Sequence, residues 1–563
     1  MNALPTESTT TAFTFTGALE RAAARRTDPA VWDDGIGRTW QDCLRQAERT
    51  AGALYVRGLR SGDVLAAQLP NSWELVVLHA ATARLGVLLL PLHCAYGAHE
   101  VQSLVAQAGA AALVARGSYR GRDRVGEILA VREGCGSLRH AWVVEGEGPA
   151  RTGRGVSGAG TLPSAAELLD EAPDPAPGAL PDPPRDPEAP LMLLASSGTT
   201  SRRPKLCVHR HGGLLGNAAA VAADGGLGPG DTLVSASPLS HAFGLLSVHL
   251  ALVTGGRVGL FDGWDPRRFA GALRAVSATT AFLVPAQLRD LVTLLAEDAE
   301  DAEAGGTPLA LREVRTGGAP VPRELAEGVR RTMGARLVVQ WGMTEIGAGT
   351  FTRPGDPPEA ASTIGRPVSG GEVRVVDREG RRAGPGATGE LQYRSPFLFR
   401  GYHGAPELTR AALTADGWLR TGDLAVLHPD GSVGYRGRAD ELINRGGLKF
   451  SALEVEELLG DLPQLAQHAI VGRPDPRLGQ RSCLLAALRD GTGLTLDEVT
   501  GHLSRKGLAT YKLPEELVVV DRLPTTVTGK IARNRLTSIP LPPLPRPPAP
   551  ASRPVPAAGE GDR

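Results

Sequence analysis

The sequence predicts a mixed α/β protein, in which a large N-terminal α/β domain with an appended β unit precedes a small α+β C-terminal domain. Over residues 15–115, helical patterns alternate with short apolar runs such as VLAAQLP and GVLLLPL, which is typical of strands joined by helices. The later stretch GEVRVVDREGRRAGPGATGELQYRS alternates with period two around turn residues, which predicts antiparallel strands. With 563 residues, 42% of them hydrophobic, the chain can bury several cores.

Further strands of the N-terminal domain are predicted to end in polar or glycine-rich loops. Residues 172–190 are rich in proline and aspartate and form an exposed connection, because such a segment cannot pack. The strand LMLLA follows, and four later runs change from apolar to polar: TLVSASPLSHAFG, TTAFLVPAQ, EVRTGGAPVP and RLVVQWGMTE. Ligands of open α/β sheets bind beyond such strand ends, so we expect the binding site there.

The last part of the chain has its own elements and then a proline-rich tail. One helix, ALEVEELLGDL, and three strands, AIVGR, SCLLAALR and ELVVVD, predict a separate domain between about residues 441 and 536. The run after residue 538 lacks any helical or strand period and is predicted to be disordered or polyproline-like. We therefore predict an N-terminal domain over residues 1–439, a C-terminal domain over 440–538 and a tail over 539–563.

Charge and cysteine usage exclude several classes of function. Lysine plus arginine and aspartate plus glutamate number 61 each, so no global field favours nucleic acid or an anionic membrane as partner. No run approaches the 18 or so apolar residues of a membrane span, and the N-terminus lacks a secretion-signal core. The 5 cysteines are scattered without a CxxC pair, which argues against disulfides or zinc. These features predict a soluble cytoplasmic protein that acts on a small molecule.

The strongest local signal is LMLLASSGTTSRRPK, in which a buried strand runs into a polar loop. The loop contains Ser197, Gly198, Thr199 and Thr200, followed by Lys205. Glycine lets the backbone approach an anion, while hydroxyl, N–H and ammonium groups donate to phosphate oxygens. The string is not the P-loop NTPase signature, and on its own it is also typical of a flexible Ser/Thr/Gly turn.

Together with its neighbours, this loop resembles the nucleotide loop of the adenylate-forming superfamily, which includes acyl-CoA synthetases and aryl-acid ligases. Further family-like motifs follow in order: QWGMTE at 340–345, GWLRTGD at 417–423, GRADELINRGGLKFSALEVEE at 437–457 and PTTVTGKIARN at 524–534. The resemblance covers about residues 15–536. It implies that ATP converts a small carboxylic acid into an acyl-adenylate with release of pyrophosphate, and that the acyl group then passes to the thiol of CoA.

The resemblance also implies a nucleotide site, which has to gather negative charges that otherwise repel each other. Ser197, Gly198, Thr199, Thr200 and Lys205 are implied to hold the β- and γ-phosphates, Thr344 to contact the α-phosphate and Glu345 to coordinate Mg²⁺. Trp341 and Gly342 are implied to flank adenine together with the turn Gly317, Gly318 and Ala319. Asp423 and Arg438 are implied to bind the ribose.

Catalysis and domain motion are likewise implied by the resemblance. Lys530 would place a positive charge between the carboxylate and the α-phosphate, with an electrostatic role. The mobile C-terminal domain would then rotate about a hinge at Asp440 and present another face for thiol attack. Gly446 and Gly447 would let the thin pantetheine arm approach the adenylate.

The acid pocket is predicted around His241 in PLSHAFG, which the resemblance places beside the substrate carboxylate, although a lone histidine is more often structural. Ala242 supplies neither the aspartate of amino-acid activators nor the amide of 2-hydroxybenzoate activators. Together with Ala319 and the small residues 347–349, it predicts a fairly apolar pocket for an uncharged acyl or aryl group. One departure from the family is the longer, more basic insert Ser201–Arg203, which either tightens phosphate binding or misplaces Lys205.

Three functions remain open at the level of the sequence. The leading hypothesis is an acyl- or aryl-CoA ligase that uses ATP, Mg²⁺ and CoA. A second is a stand-alone ligase that loads the phosphopantetheine of a carrier protein. The third is an inactive adenylate-binding or scaffolding protein, against which the retained Glu345, Asp423, Arg438 and Lys530 argue. The identity of the acid and the oligomeric state follow from none of these motifs.

Overall fold

Helices alternate with strands through the N-terminal part of the chain, as predicted. The computed structural model describes residues 14–145, 162–196, 204–300, 308–318, 321, 323–377, 379–384, 386–438, 443–450, 452–524, 536 and 539. The helices are α1 (Phe15–Arg25), α2 (Trp40–Val56), α3 (Trp73–Leu85), α4 (Ala98–Ala108), α5 (Val125–Gly134), α6 (Ala166–Leu169), α7 (His211–Gly225), α8 (Ala242–Thr254), α9 (Pro266–Ala275), α10 (Pro285–Glu300), α11 (Arg323–Met333), α12 (Pro406–Ala412), α13 (Ala452–Leu459) and α14 (Leu496–Arg505). Short 3₁₀ turns span Pro358–Ser362 and Thr510–Lys512.

The strands follow the apolar runs of the sequence. In the first half of the chain they are β1 (Val31–Asp33), β2 (Ile36–Arg38), β3 (Val64–Gln68), β4 (Leu88–Pro91), β5 (Ala112–Arg116), β6 (Ser118–Tyr119), β7 (Arg122–Asp123), β8 (His140–Val144), β9 (Pro190–Ser196), β10 (Lys205–Arg210), β11 (Thr232–Ser235), β12 (Arg257–Leu260) and β13 (Thr280–Leu283). In the second half they are β14 (Glu313–Gly317), β15 (Arg336–Met343), β16 (Gly347–Phe351), β17 (Arg366–Pro367), β18 (Glu372–Val376), β19 (Gly389–Arg394), β20 (Gly401–Tyr402), β21 (Leu419–Leu427), β22 (Val433–Arg438), β23 (Ile443–Arg445), β24 (Leu448–Phe450), β25 (Leu465–Asp475), β26 (Gly479–Leu488) and β27 (Glu516–Val519).

Two large sheets form the N-terminal domain. One has 9 strands in the order β17-β16-β15-β14-β13-β11-β12-β1-β2, and its central strands from β15 to β1 are parallel. The other has 7 strands in the order β20-β10-β9-β4-β3-β5-β8. Since strands β11, β13, β14 and β15 run parallel side by side, their carboxyl ends meet along one edge, where ligands of such sheets bind.

The appended β unit and the exposed connection have the predicted structure. Strands β18, β19, β21 and β22 form an antiparallel sheet of 4 strands. Residues 172–189 contain no helix or strand and are mostly exposed. No helix among the residues described above is long and apolar enough to cross a membrane.

The C-terminal domain is built on a smaller sheet, and a separate apolar cluster packs on each of its two faces. Its path is β24-β23-β26-β25, and β27 pairs with β26 in parallel. Leu484 and Ala486 of β26 pack into one apolar cluster with helices α13 and α14, and this cluster also meets Tyr96 of the N-terminal domain. Cys483 and Leu485 pack into the cluster on the opposite face. The domain boundaries at 439/440 and 538/539 stay predictions, and Ile539, the described start of the predicted tail, packs on the second cluster.

Candidate functional site

A cavity of about 1760 Å³ lies between the carboxyl edge of the large parallel sheet and the C-terminal domain. Its wall includes Ser237 after β11, Val284 after β13, Gly317 at the end of β14 and Thr344 after β15. The hairpin formed by β23 and β24 supplies the wall on the C-terminal side. Ordinary ligand pockets measure about 300–1,000 Å³, so this cavity has room for more than one small molecule.

Trp341 and Asp423 form one side of this cavity, and both are nearly buried, at 7% and 5% exposed. The indole N–H of Trp341 donates to Oδ2 of Asp423 over 2.8 Å. Trp341 also packs edge-on against Tyr393, with ring centroids 6.0 Å apart. Gly342 lies in the exposed continuation of β15, and Gly318 has a left-handed backbone with φ +85°. Trp341 therefore holds the carboxylate that was predicted to bind ribose, a contact that the motif did not predict.

Backbone pairing places Arg438 next to Asp423. Strands β21 and β22 are antiparallel, and Asp423 lies directly opposite Arg438 in their register. The side chain of Arg438 lies outside the described part of the chain, so its contact with ribose stays a prediction.

The loop that carries Thr344 and Glu345 is fixed by buried hydrogen bonds. The hydroxyl of Tyr402 donates to Oε1 of Glu345 over 2.8 Å, and the backbone N–H of Phe399 donates to the Glu345 carbonyl over 2.9 Å. The carbonyl of Thr344 accepts from Nε2 of His209 over 2.7 Å, which requires the Nε2–H tautomer because a carbonyl can only accept. Burial lowers the pKa of His209 to about 4, so the imidazole is neutral near pH 7.

Lys205 lies near the same loop. Its Nζ is 5.0 Å from the centroid of the Tyr402 ring, a cation–π geometry. Lys205 and Glu345, which were predicted to bind phosphate and metal, thus both contact Tyr402. Tyr402 and His209 were not predicted as site residues, because the pairing of β10 with β20 that brings them together has no signature in residue spacing.

The acid side of the cavity contains polar atoms to which no group in the described part of the chain is hydrogen-bonded. Nε2 of His241 and the hydroxyls of Ser237 and Ser240 are buried without a partner among the described residues. His93 lies beside His241, with ring centroids 5.4 Å apart, and it was missed by the sequence analysis. Burial lowers the pKa of His241 to about 4 and that of His93 to about 3, so both imidazoles are neutral near pH 7. The acid side of the cavity therefore offers neutral hydrogen-bonding groups that a bound ligand could satisfy.

The thiol side is formed by the glycine turn of the β23–β24 hairpin. Gly446 and Gly447 have φ values of +58° and +90°, and both line the cavity. A Cβ atom added at Gly447 would lie 3.0 Å from Cγ1 of Val284. The side-chain amide of Asn444 donates to the carbonyl of Gly318 over 2.8 Å. The hairpin tip is thus docked on the turn that was predicted to flank adenine.

Arginines line the solvent edge of this cavity on the N-terminal side. Arg120 and Arg122 are exposed, while Arg124 is buried and donates to the carbonyls of Cys94 and Tyr96 over 2.9 and 2.8 Å. Arg122 forms an ion pair with Glu127, and Arg120 stacks on Tyr119 at 5.2 Å. This edge can therefore attract anionic groups.

Several predicted positions lie outside the described residues. They are Ser197, Gly198, Thr199, Thr200, the insert Ser201–Arg203, Ala319, Asp440 and Lys530. Leu523 and Leu536, which flank the segment with Lys530, are buried in the apolar cluster on the sheet face that carries Cys483. The flanks of Lys530 are thus anchored on the face opposite to the one that meets Tyr96.

Comparison with known proteins identifies the family. The chain matches the AMP-binding enzyme family over residues 19–403 and the AMP-binding enzyme C-terminal domain over residues 454–530. The salicylyl-CoA synthase / salicylate adenylyltransferase of a Streptomyces species is 34% identical over 526 residues, which cover 91% of this chain and 90% of that protein. The salicyl-AMP ligase / salicyl-S-ArCP synthetase of Mycobacterium tuberculosis is 33% identical over 536 residues, 93% of this chain and 90% of that protein.

A solved structure agrees with these relatives. The amide bond synthetase McbA from Marinactinospora thermotolerans superimposes with a TM-score of 0.79 and 26% identity, covering 92% of this chain and 99% of McbA. The predicted fold class and family are confirmed, and the chain belongs to the AMP-binding enzymes, as a ligase with a large N-terminal and a small C-terminal domain.

Proposed function

We propose that this ligase activates a small aromatic carboxylic acid with ATP and then transfers the acyl group to CoA. The observation that carries the proposal is that one continuous cavity has His241 on its acid side, Asp423 on its nucleotide side and Gly447 on its thiol side. Two consecutive reactions of one carboxyl group, first at its oxygen and then at its carbon, need this arrangement, because the adenylate has to stay bound until the thiol arrives.

In the first step, a carboxylate oxygen of the acid forms a bond to the α-phosphorus of ATP, and pyrophosphate leaves with the electron pair. Thr344 is proposed to orient the α-phosphate, and Lys205 to neutralise the leaving phosphates. Glu345 fits Mg²⁺ as a hard oxygen donor beside Thr344, although one of its oxygens already accepts from Tyr402. When bound, the metal would supply positive charge to the phosphates.

In the second step, the thiol sulfur forms a bond to the acyl carbon, AMP leaves with the electron pair of the C–O bond, and the thiol proton goes to solvent. Gly446 and Gly447 are proposed to line the path of the thiol arm, since residues without side chains leave a narrow passage beside Val284. The β23–β24 hairpin is docked in the cavity, which supports the interpretation that the two domains are arranged here for thiol transfer.

The acid side supports an aromatic substrate without a charged substituent. Ala242, Phe243, Val339 and Gly347 supply small or apolar wall around the neutral His241. Ala242, Phe243, Val339 and Gly347 carry no charge that could pair with an ammonium or carboxylate on the ring, whereas a hydroxyl or ring nitrogen could bind Ser237 or Ser240. The two relatives described above are both named for salicylate, a small aromatic acid.

The arginines at the solvent edge support CoA as the thiol donor. CoA carries a diphosphate and a 3′-phosphate, and the exposed Arg120 and Arg122 line the cavity that the pantetheine arm would enter. A carrier protein brings its arm on a single phosphodiester. The Mycobacterium tuberculosis relative is named for a carrier-protein substrate, so carrier loading is the alternative to test.

A pyrophosphate-release screen tests the first step. Purified enzyme with ATP and Mg²⁺ would be offered aromatic, alicyclic and fatty acids, and Lys530→Ala would be compared with wild type. We expect release with aromatic acids only, and a loss of about 100-fold or more in the variant, since one preorganised donor is worth about 2.7–4 kcal/mol. Lys506→Ala is the matched control, because Lys506 binds Asp461 on the surface of the same domain. Release by none of the acids, with intact ATP binding, would contradict the proposal.

The acceptor is tested next, with the acid found in the screen. CoA and a phosphopantetheinylated carrier protein would be supplied in parallel, and the thioester identified by mass spectrometry. Formation of acyl-CoA that slows in Arg120→Ala supports CoA, whereas a thioester on the carrier protein alone would favour the alternative.

A further inference from the structure

A buried ion pair crosses the contact between the two domains beside the cavity. Glu100 on helix α4 and Lys512 after α14 are 3% and 4% exposed. Their charged atoms, Oε1 and Nζ, are 3.5 Å apart, and Oε1 of Glu100 also accepts from the backbone N–H of Ala509 over 2.7 Å. One carboxylate of the N-terminal domain thus binds two groups of the C-terminal domain.

Each charge of this pair has a second partner within its own domain. Oε2 of Glu100 accepts from the N–H of Gly97 over 3.0 Å, and Nζ of Lys512 binds Oε1 of Glu454 over 2.7 Å. The rings of Tyr96 and Tyr511 flank the ion pair, with Nζ of Lys512 5.6 and 5.7 Å from their centroids. Because water is excluded, the attraction between the charges is stronger than at a surface.

The ion pair exists in the arrangement that places the β23–β24 hairpin in the cavity. In this arrangement, the sheet face that anchors the flanks of Lys530, at Leu523 and Leu536, is turned away from the contact at Tyr96. To bring that face to the cavity, the C-terminal domain has to turn, and the turn separates Lys512 and Ala509 from Glu100. Gly97 and Glu454 remain as partners, so neither charge is left alone, and the separation is reversible.

We propose that Glu100 and Lys512 form an interdomain lock that favours the thiol-transfer arrangement over the adenylating one. They are positioning residues for the second half-reaction, because they act through the placement of the hairpin and do not touch the reacting atoms. The inference rests on the proposed function, in which the two half-reactions need different domain arrangements. Weakening the lock is expected to slow thioester formation without slowing adenylation.

The test compares the two half-reactions in Glu100→Gln, which removes the charge and keeps the side-chain size. Adenylation would be measured by pyrophosphate release in the absence of CoA, and thioester formation by rapid mixing of the preformed acyl-adenylate complex with CoA. We expect thioester formation to slow about tenfold and adenylation to stay equal to or faster than wild type. Glu454→Gln is the matched control, because it removes a partly buried partner of Lys512 without breaking the contact between the domains.

A disulfide cross-link reports on the domain arrangement through its rate of formation and through its effect on each half-reaction. A Cβ atom at Gly507 would lie 3.1 Å from Cβ of His99, a few tenths short of the Cβ separation of about 3.5–4.5 Å in disulfides. In a His99→Cys/Gly507→Cys variant, oxidation is expected to block adenylation, to preserve transfer from supplied acyl-adenylate, and to be reversed by reductant. Adding Glu100→Gln should slow the formation of this cross-link.

Three outcomes would overturn the lock. They are equal losses of both half-reactions in Glu100→Gln, unchanged rates in that variant, and adenylation that persists in the oxidised cross-linked protein. Failure of the proposed function looks different, because wild type would then release no pyrophosphate with any acid, while the effect of Glu100→Gln on cross-linking could still be measured.

Discussion

At the scale of single residues, Tyr402 and His209 are the side chains that place the loop with Thr344 and Glu345. Both hold the loop through one short hydrogen bond from the neighbouring sheet, at 2.8 and 2.7 Å. The hydroxyl of Tyr402 donates to the buried carboxylate of Glu345. This hydrogen bond replaces one that the carboxylate makes to water in the unfolded chain. Burial and the neighbouring Glu345 raise the pKa of Tyr402, so the hydroxyl remains a donor at any physiological pH.

Tyr402→Phe is expected to destabilise the protein and impair adenylation. Loss of a hydrogen bond to a buried charge lowers the free energy of unfolding by about 1.5–3 kcal/mol. Urea unfolding and pyrophosphate release measure the two effects. Tyr55→Phe on helix α2 is the matched control, and a Tyr402→Phe protein with wild-type stability and release rate would show that the Glu345 contact contributes nothing.

At the scale of elements, the β23–β24 hairpin needs a turn without side chains. Its turn is made of consecutive glycines with left-handed backbones, and the tip meets Val284 across the cavity. A side chain at this point would both strain the turn and fill the passage proposed for the thiol arm. Asn444 of the same hairpin is hydrogen-bonded to Gly318 on the nucleotide side. A shift of the hairpin turn is therefore expected to displace that side of the cavity as well.

Gly447→Ala is expected to slow thioester formation and to spare adenylation. The φ of +90° costs a non-glycine residue about 1–3 kcal/mol, which corresponds to about 5- to 150-fold in the rate of the step that needs the turn. The added Cβ also lies 3.0 Å from Val284. Rapid-mixing measurements of both half-reactions test this expectation.

Gly491→Ala provides the control for this variant. Gly491 has a comparable φ of +75°, but an added Cβ there would meet nothing within 4 Å. If both variants slow thioester formation alike, backbone strain alone explains the effect, and the role of the hairpin tip as a passage is wrong.

At the scale of the whole molecule, the N-terminal domain contains several neutral histidines that are shielded from water. Burial lowers the pKa of each of six of them: His79, His93, His209, His211, His241 and His249. His79 and His249 share a hydrogen bond between their Nε2 atoms over 3.0 Å, so one ring donates and the other accepts. A proton on the accepting ring would break this bond and place a charge in the apolar core.

Because the pKa values of these histidines are lowered in the folded protein, we expect the free energy of unfolding to depend on pH. Their folded pKa values lie below the unfolded value of about 6.5, so below pH 6.5 the unfolded chain binds more protons than the folded one. Their contribution to stability is complete above about pH 6.5 and is lost as the pH falls toward the folded values, by up to about 1.4 kcal/mol per pH unit for each histidine. Urea midpoints between about pH 7.5 and 5 measure the slope.

His249→Leu separates this effect from other titrations. The variant is expected to show a shallower loss of stability between about pH 6.5 and 5, because one fewer buried imidazole discriminates between the folded and unfolded states. A wild-type stability that is flat across this range would contradict the prediction.

The sequence by itself determined what is local: the strand ends that carry polar loops, the antiparallel unit, the glycine turn at 446–447 and the order of the motifs that identified the family. Hydrophobic period and turn chemistry depend on neighbouring residues, so each of these features can be recognised without knowledge of the fold. The resemblance that these local motifs carry grouped Trp341, Thr344 and Asp423 at one nucleotide site, and all three line the same cavity.

Only the tertiary structure decided which side chains hold these residues in place. Tyr402 meets Glu345 across 57 positions, His209 meets Thr344 across 135, and Glu100 meets Ala509 across 409. Such contacts depend on sheet order and on the arrangement of the domains, which residue spacing does not encode. The physical reason is that a buried polar group needs a partner, but any neighbour that the fold brings near can supply it.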